Sequence, residues 1–365
     1  MQFRRLGRDG PEISVVGVGA WAIGGPWQFG WGPQDDDESI AALHKAFDSG
    51  VNWVDTAAVY GLGHSEEVVG QVVREHGGEV LVFTKCGRPW YGREGNRPTY
   101  DLRPETIRFE LEQSLKRLGT DHVDLYQFHW PDTETGTAVE DSWATMAALV
   151  TEGKVRWAGV SNFDVELLDR CARVRHVDAL QPPYSLLDRR AAGDMIPWCA
   201  EHGTGVICYS PLQSGLLTGS FDADRARDLP ADDWRRDSGD FRSPKLEANL
   251  ELARRLEPVA ERHGVPVAAV AIAWVLATPG VTGAIVGARR PSQVDGWLPA
   301  GDLRLDGADL AELEAAIRDT GAGRAQSASS RAKEKAAVAP RPFPGVVMTT
   351  DATRPHGVYR DPATA

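Results

Sequence analysis

The feature that most constrains this chain is an alternation repeated eight times: a short β-branched or aromatic run, a polar residue where the run stops, then a stretch of helical period. The runs are Ile13–Val18, Val51–Val54, Val80–Thr84, Val123–Phe128, Val155–Val160, Ala179–Leu180, Val206–Tyr209 and Gly283–Val286. Strands separated by helices pair in parallel, because only a crossover brings the chain back to the same sheet edge. No GxGxxG turn follows the first run, as it would in a dinucleotide-binding open sheet. The alternation therefore predicts an α/β fold, a (β/α)8 TIM barrel over residues 1–319. Phe3–Leu6 and the turn at Gly7-Arg8-Asp9-Gly10-Pro11 predict a hairpin ahead of it, and 307–318 an extra C-terminal helix. One helix is expected over 246–263 and another over 267–277, while 220–245 lacks any period and reads as an insertion or flexible loop.

From Thr320 the chain turns to Ala, Ser, Pro, Gly and Thr, which predicts a disordered tail over 320–365. Its seven Lys and Arg against three Asp and Glu give about +4, leaving about -16 on the barrel from the total of -12. That acidity argues against nucleic acid as a partner, since a phosphate backbone requires a basic face. Cys86, Cys171, Cys199 and Cys208 show no CxxC pairing or ligand spacing, so neither a metal site nor a disulfide framework is expected. No apolar run has the length of a membrane span and the first ten residues lack a signal-peptide core, so a soluble, cytoplasmic protein with no membrane partner is expected.

In a parallel barrel the C-terminal strand ends open on one rim. Here they carry Asp55, with Tyr60 in the loop beyond, Lys85 and His129. A phenol is a weak acid near neutrality, but an adjacent ammonium stabilises its anion and makes the proton easier to give. Lys85 suits that role, Asp55 would hold Lys85 charged, and neutral His129 could donate a hydrogen bond to a substrate oxygen. Cys86, beside Lys85, is a candidate oxidation-sensitive thiol. Trp21, Trp27, Trp31, Trp90, Tyr91 and Trp130 fall on loops that should ring the mouth, which suggests a broad, partly apolar substrate pocket.

The string DTAAVYGLGHSEEVVG resembles the aldo-keto reductase signature, and VFTK, DLYQFHWPD, GVSNF and IVGARR follow in that family's order across residues 3–318. GHSEE and QPPYSLLDR look most like the bacterial sugar- and stress-linked branch. The resemblance implies NAD(P)H-dependent reduction of aldehydes or ketones, sugar- and inositol-type carbonyls among them, through a tetrad of Asp55, Tyr60, Lys85 and His129. It further implies that Ser161, Asn162 and Gln181 hold the nicotinamide carboxamide and that Tyr209 stacks on its ring. Ser210, Leu212, Ser214, Gly215 and Leu216 resemble the family's pyrophosphate cradle, with Ser220 where many relatives have lysine. Gly287, Arg289 and Gln293 resemble the adenosine site, Arg289 matching the contact to a 2'-phosphate, so NADPH is expected over NADH. Trp297 replaces a common asparagine and is either an adenine platform or core. The same fold serves potassium-channel β-subunits, so a cofactor-sensing module with little turnover is the alternative.

Overall fold

Trp53 fills the barrel axis because the residue facing it, Gly17, has no side chain: a Cβ there would stand 2.1 Å from the indole. In the computed structural model, which describes residues 1–27, 29–77, 79–91, 97–230 and 233–323, an antiparallel hairpin leads into the barrel. The hairpin comprises β1 (Phe3–Arg5) and β2 (Glu12–Ser14), with Phe3 opposite Ser14. Eight parallel strands then close on themselves: β3 (Val16–Gly19), β4 (Trp53–Asp55), β5 (Leu81–Cys86), β6 (Val123–Phe128), β7 (Val155–Ser161), β8 (Ala179–Gln181), β9 (Gly205–Cys208) and β10 (Gly283–Gly287). β10 pairs with β3 through Val286 opposite Val18, which closes the ring. The run Ile13–Val18 is thus two strands, broken at Val15, where the Ser14 hydroxyl donates to the Val16 carbonyl as the chain passes from hairpin to barrel.

Period-two alternation sorts the strand residues. Trp53, Phe83, Leu125, Ala179, Ile207 and Ile285 pack together inside, and Leu6 and Ile13 of the hairpin join them, plugging the end where the strands begin. Two residues further along their strands come Asp55, Lys85, Gln127 and Gln181, all buried and all polar. The C-terminal end of the barrel therefore has a polar floor laid on an apolar plug.

The surrounding helices begin and end on chemical signals. Asp35 accepts from the Glu38 amide to cap Asp36–Asp48, and Pro104 opens a helix that Gly119 ends at φ 69°. The stretch 246–263 is not one helix: Pro258 lacks an N–H and clashes with the preceding turn, so Lys245–Arg255 and Glu257–His263 are separate. Gly307–Thr320 is boxed by Asp306 and Asp309 and runs two residues past the expected end, to Gly321 at φ 65°. Nor is 220–245 without structure: it forms a helix at Ala223–Arg227 and 3-10 turns at Trp234–Asp237 and Gly239–Phe241, anchored by buried Phe221 and Phe241. Single aromatics in a polar run anchor it without leaving a period. Residues 324–365, which hold most of the expected tail, lie outside the described residues. Among the described residues no single helix is long and apolar enough to cross a membrane.

Candidate active site

Lys85 is buried at the end of β5, and its three ammonium protons each meet an acceptor: Asp55 Oδ1 at 2.5 Å, the Thr56 carbonyl at 2.8 Å and the Tyr60 hydroxyl at 3.2 Å. The second Asp55 oxygen accepts from Gln181 Nε2 at 2.7 Å and Gln127 Nε2 at 3.3 Å, so the carboxylate is fully engaged. Burial works against the Lys85 ammonium, but Asp55 and then Tyr60 outweigh it and hold its pKa above the ordinary value. For Tyr60 the balance falls the other way. Burial, with the Asp55 charge adding to it, raises the phenol above its usual range despite Lys85, so the ammonium tempers a weak acid without making it a strong one. The left-handed Leu62, at φ 56°, turns the chain just beyond Tyr60.

His129 stands edge-on to Tyr60 with ring centroids 5.6 Å apart, and its backbone N–H donates to the Cys86 carbonyl at 2.9 Å. Burial, with Lys85 and Arg88 adding to it, holds the imidazole pKa well below the usual range, so the ring is neutral at physiological pH. Its Nδ1 is buried without a partner among the described residues. Cys86 points the other way, as alternation from Lys85 requires: burial, reinforced by Glu110, pushes its thiol well above the ordinary value, which removes it as a reactive thiolate.

At the ends of β7 and β8 the side chains are tied in sequence. Tyr209 donates to Asn162 Oδ1 at 2.8 Å, Asn162 Nδ2 donates to the His129 carbonyl at 2.9 Å and to Ser161 Oγ at 3.0 Å, and Ser161 donates to the Gln181 carbonyl at 2.8 Å. Asn162 holds φ 62° to make these bonds. Ser210, Gln213 and Ser214 are also left-handed, at 55°, 43° and 54°, and Gly215 at 104°. Such conformations each cost about 1–3 kcal/mol for a non-glycine residue, and they cluster where function holds them. A Cβ on Gly215 would lie 3.8 Å from Arg235 Nη1 and 3.9 Å from the Phe221 ring. Leu212 is half-buried, whereas Leu216 is wholly buried and its amide donates to the Gln213 carbonyl at 3.3 Å. Across the rim Gly287 and Gln293 are exposed, and Arg289 reaches back to Gln34 Oε1 and the Pro33 carbonyl, both at 2.5 Å. Trp297 is only 2 % exposed and belongs to the core, leaving no face for adenine.

Of the aromatics expected at the mouth, Trp21, Trp27 and Trp31 gather near Tyr60, with Trp21 and Trp27 each 6.4 Å from its ring. Trp130 lies half-buried next to His129. Trp90 and Tyr91 belong to a cluster that Trp27 and Tyr60 also join. Trp90 packs behind Ala57–Val59, and Tyr91, stacked on it at 4.3 Å, accepts from Arg117 at 2.8 Å. The residue absent from the sequence reading is Trp234, which stacks on Trp21 at 5.8 Å and meets Trp31 edge-on at 5.9 Å. Arg235 beside it lies over Trp31 at 4.6 Å and donates to the Ser214 carbonyl at 3.3 Å, joining the insertion to the strained loop. The Trp-Arg pair in an otherwise polar stretch was the available signal, but composition does not tell where it lands.

The fold and the grouping on its rim define a class, the barrel oxidoreductases that act on small carbonyl compounds with a nicotinamide cofactor. Residues 15–318 match the model of the Aldo/keto reductase family, and the chain belongs to that family. It is 34 % identical over 323 residues to aldo-keto reductase YhdN of Bacillus subtilis, covering 88 % of this chain and 95 % of that one. It is 33 % identical over 315 residues to the NADH-specific methylglyoxal reductase of Escherichia coli, covering 83 % and 94 %. The solved glycerol dehydrogenase AKR11B4 of Gluconobacter oxydans superposes with a TM-score of 0.79 at 36 % identity, over 95 % of this chain and 98 % of that one. The protein is accordingly an oxidoreductase of carbonyl compounds and alcohols.

Proposed function

We propose that the protein reduces small aldehydes or ketones with NADPH, with Tyr60 giving the proton to the carbonyl oxygen. The observation that carries this is the contact of Lys85 with both Asp55 and Tyr60 on a buried floor. Tyr60 is protonated across the neutral range, and Lys85 stabilises the phenolate left when the proton is transferred. Neutral His129 donates a second hydrogen bond to the same oxygen. The cofactor, when bound, supplies the hydride.

The residues suit such a cofactor. Tyr209, locked by its bond to Asn162, offers a flat face to the nicotinamide, and Ser161, Asn162 and Gln181 hold the carboxamide. Gln181 already gives its amide donor to Asp55, so its part in that contact comes from its oxygen. Peptide groups of the left-handed Ser210 to Gly215 loop cradle the pyrophosphate, together with Leu212 and Leu216. Gly287 keeps the rim open, Gln293 faces adenine, and Arg289 meets the 2'-phosphate. Arg235 and Arg290 add to its field, which burial and both neighbours press on by lowering the Arg289 pKa. A bound phosphate would relieve that repulsion.

The substrate lies between Trp21, Trp27, Trp31, Trp130 and Trp234. The indole N–H groups of Trp27, Trp31 and Trp234 are buried without acceptors among the described residues, which suits a carbonyl compound bearing hydroxyl groups, of sugar or inositol type. A panel of sugar, aliphatic and aryl carbonyls with NADPH and NADH in parallel tests the reading. At least one class should be turned over with kcat/KM about tenfold or more higher with NADPH. Tight cofactor binding without oxidation across the panel overturns the reductase reading, and equal use of NADH overturns the cofactor preference.

A further inference from the structure

One cation beside the reacting centre is not explained by the tetrad or by the cofactor contacts. Arg88 lies two residues beyond Cys86, whose carbonyl accepts the His129 backbone N–H at 2.9 Å, so the chain leaves the rim next to the imidazole. Its guanidinium rests on the Tyr100 ring, 4.0 Å from the centroid, and Tyr100 meets Trp130 edge-on at 6.5 Å. Arg88, Tyr100 and Trp130 thus form one wall flanking His129. Stacking fixes the plane of the guanidinium while leaving its edge free to donate.

That edge lacks a partner. Arg88 Nε is buried without an acceptor, and no carboxylate lies within ion-pair distance of Arg88 among the described residues. Arg103, just ahead of the Pro104 helix, and Arg108 and Arg117 on it each hold one, at 2.6 to 2.8 Å. A partly buried guanidinium with an unsatisfied donor is held at a cost in free energy, and a fixed fork is matched to a carboxylate or phosphate. Arg88 is also close enough to His129 for its charge to lower the imidazole pKa.

We propose that Arg88 recognises an oxyanion on the substrate, so that the preferred carbonyl compounds carry a carboxylate or a phosphate. This inference rests on the reductase reading above. Arg88 binds and orients, while the proton comes from Tyr60. Its effect belongs in KM and kcat/KM for charged substrates only.

The test compares matched pairs with NADPH: 4-carboxybenzaldehyde against methyl 4-formylbenzoate for carboxylate, and glyceraldehyde 3-phosphate against glyceraldehyde for phosphate. In the wild-type protein the charged member of at least one pair should have kcat/KM about tenfold or more above its neutral partner, the order expected for a charge-assisted hydrogen bond, and the pair that shows it names the oxyanion. Arg88→Gln should abolish that preference through KM and leave the neutral members within about twofold. No preference in either pair, or an equal loss for charged and neutral members in Arg88→Gln, overturns the inference while leaving the reductase reading intact. Should no carbonyl be reduced, which defeats the reductase reading alone, binding of 4-(hydroxymethyl)benzoate and its neutral methyl ester to the NADPH-loaded protein reads the same contact by tryptophan quenching. Tighter binding of the carboxylate that Arg88→Gln removes supports the inference. Equal binding of the two overturns it.

Discussion

Lys85 Nζ stands 2.5 Å from Asp55 Oδ1, with the Lys85 side chain wholly buried and that of Asp55 4 % exposed. Leaving either charge alone at that depth would cost about 3–5 kcal/mol. Asp55→Ala should therefore destabilise the protein by about that amount in urea unfolding, and Asp55→Ala with Lys85→Met should recover part of the loss. A double variant no more stable than the single one would show that packing, not the unpaired charge, is what Asp55 provides.

Tyr60→Phe should lower turnover by about a hundredfold or more, the lower end for losing a positioned general acid, while NADPH affinity stays within about twofold. Steady-state rates and cofactor titration of the same preparation separate the two. A parallel loss of both would move Tyr60 from chemistry to the shape of the pocket.

Two buried groups set opposite pH slopes on stability. His129 titrates in the folded state well below its unfolded value of about 6.5, so the unfolded chain binds more protons as the medium acidifies and stability falls as pH drops below about 6.5. Glu110, pushed up to about 8 by burial although the Gly87 amide donates to it, is the reverse: its contribution is complete below its unfolded pKa of 4.5 and is lost as pH rises toward about 8. Glu110→Gln should flatten the alkaline limb of a urea-midpoint profile and His129→Gln the acid limb. A profile in which neither limb changes would remove both groups as the cause.

For Arg289→Ala, NADPH should bind about tenfold or more weakly and NADH nearly as before, because only NADPH carries the 2'-phosphate. Gln34→Ala tests what the bond to Arg289 does. If the arginine serves only as a tether for the loop at Gln34, both variants will weaken both cofactors alike.

Trp234→Ala removes the ring stacked on Trp21 and should raise KM for aryl or sugar carbonyls about tenfold, with little effect on the smallest aldehydes. Kinetics across substrates of increasing size check it. A uniform fall in kcat across all sizes would show that Trp234 does not act through substrate contact.

Much of this molecule is written in local pattern. The eight runs and their intervening helices follow from periods of two and near four, and parity along a strand puts Lys85 on the same side as Phe83, and Asp55 with Trp53, before any contact is known. Tyr60 and His129 are legible because they sit where those runs end. Periodicity, however, specifies a face and not a partner. That Gly17 makes room for Trp53, that Gln127 and Gln181 join Asp55, and that Trp234 comes to rest on Trp21, 213 residues earlier, depend on closure of the barrel and on the path of the insertion. Long-range packing decided these, and it also set the acid strength of Tyr60: the sequence shows an ammonium nearby, but only the tertiary structure supplies the burial that, with the Asp55 charge, outweighs it.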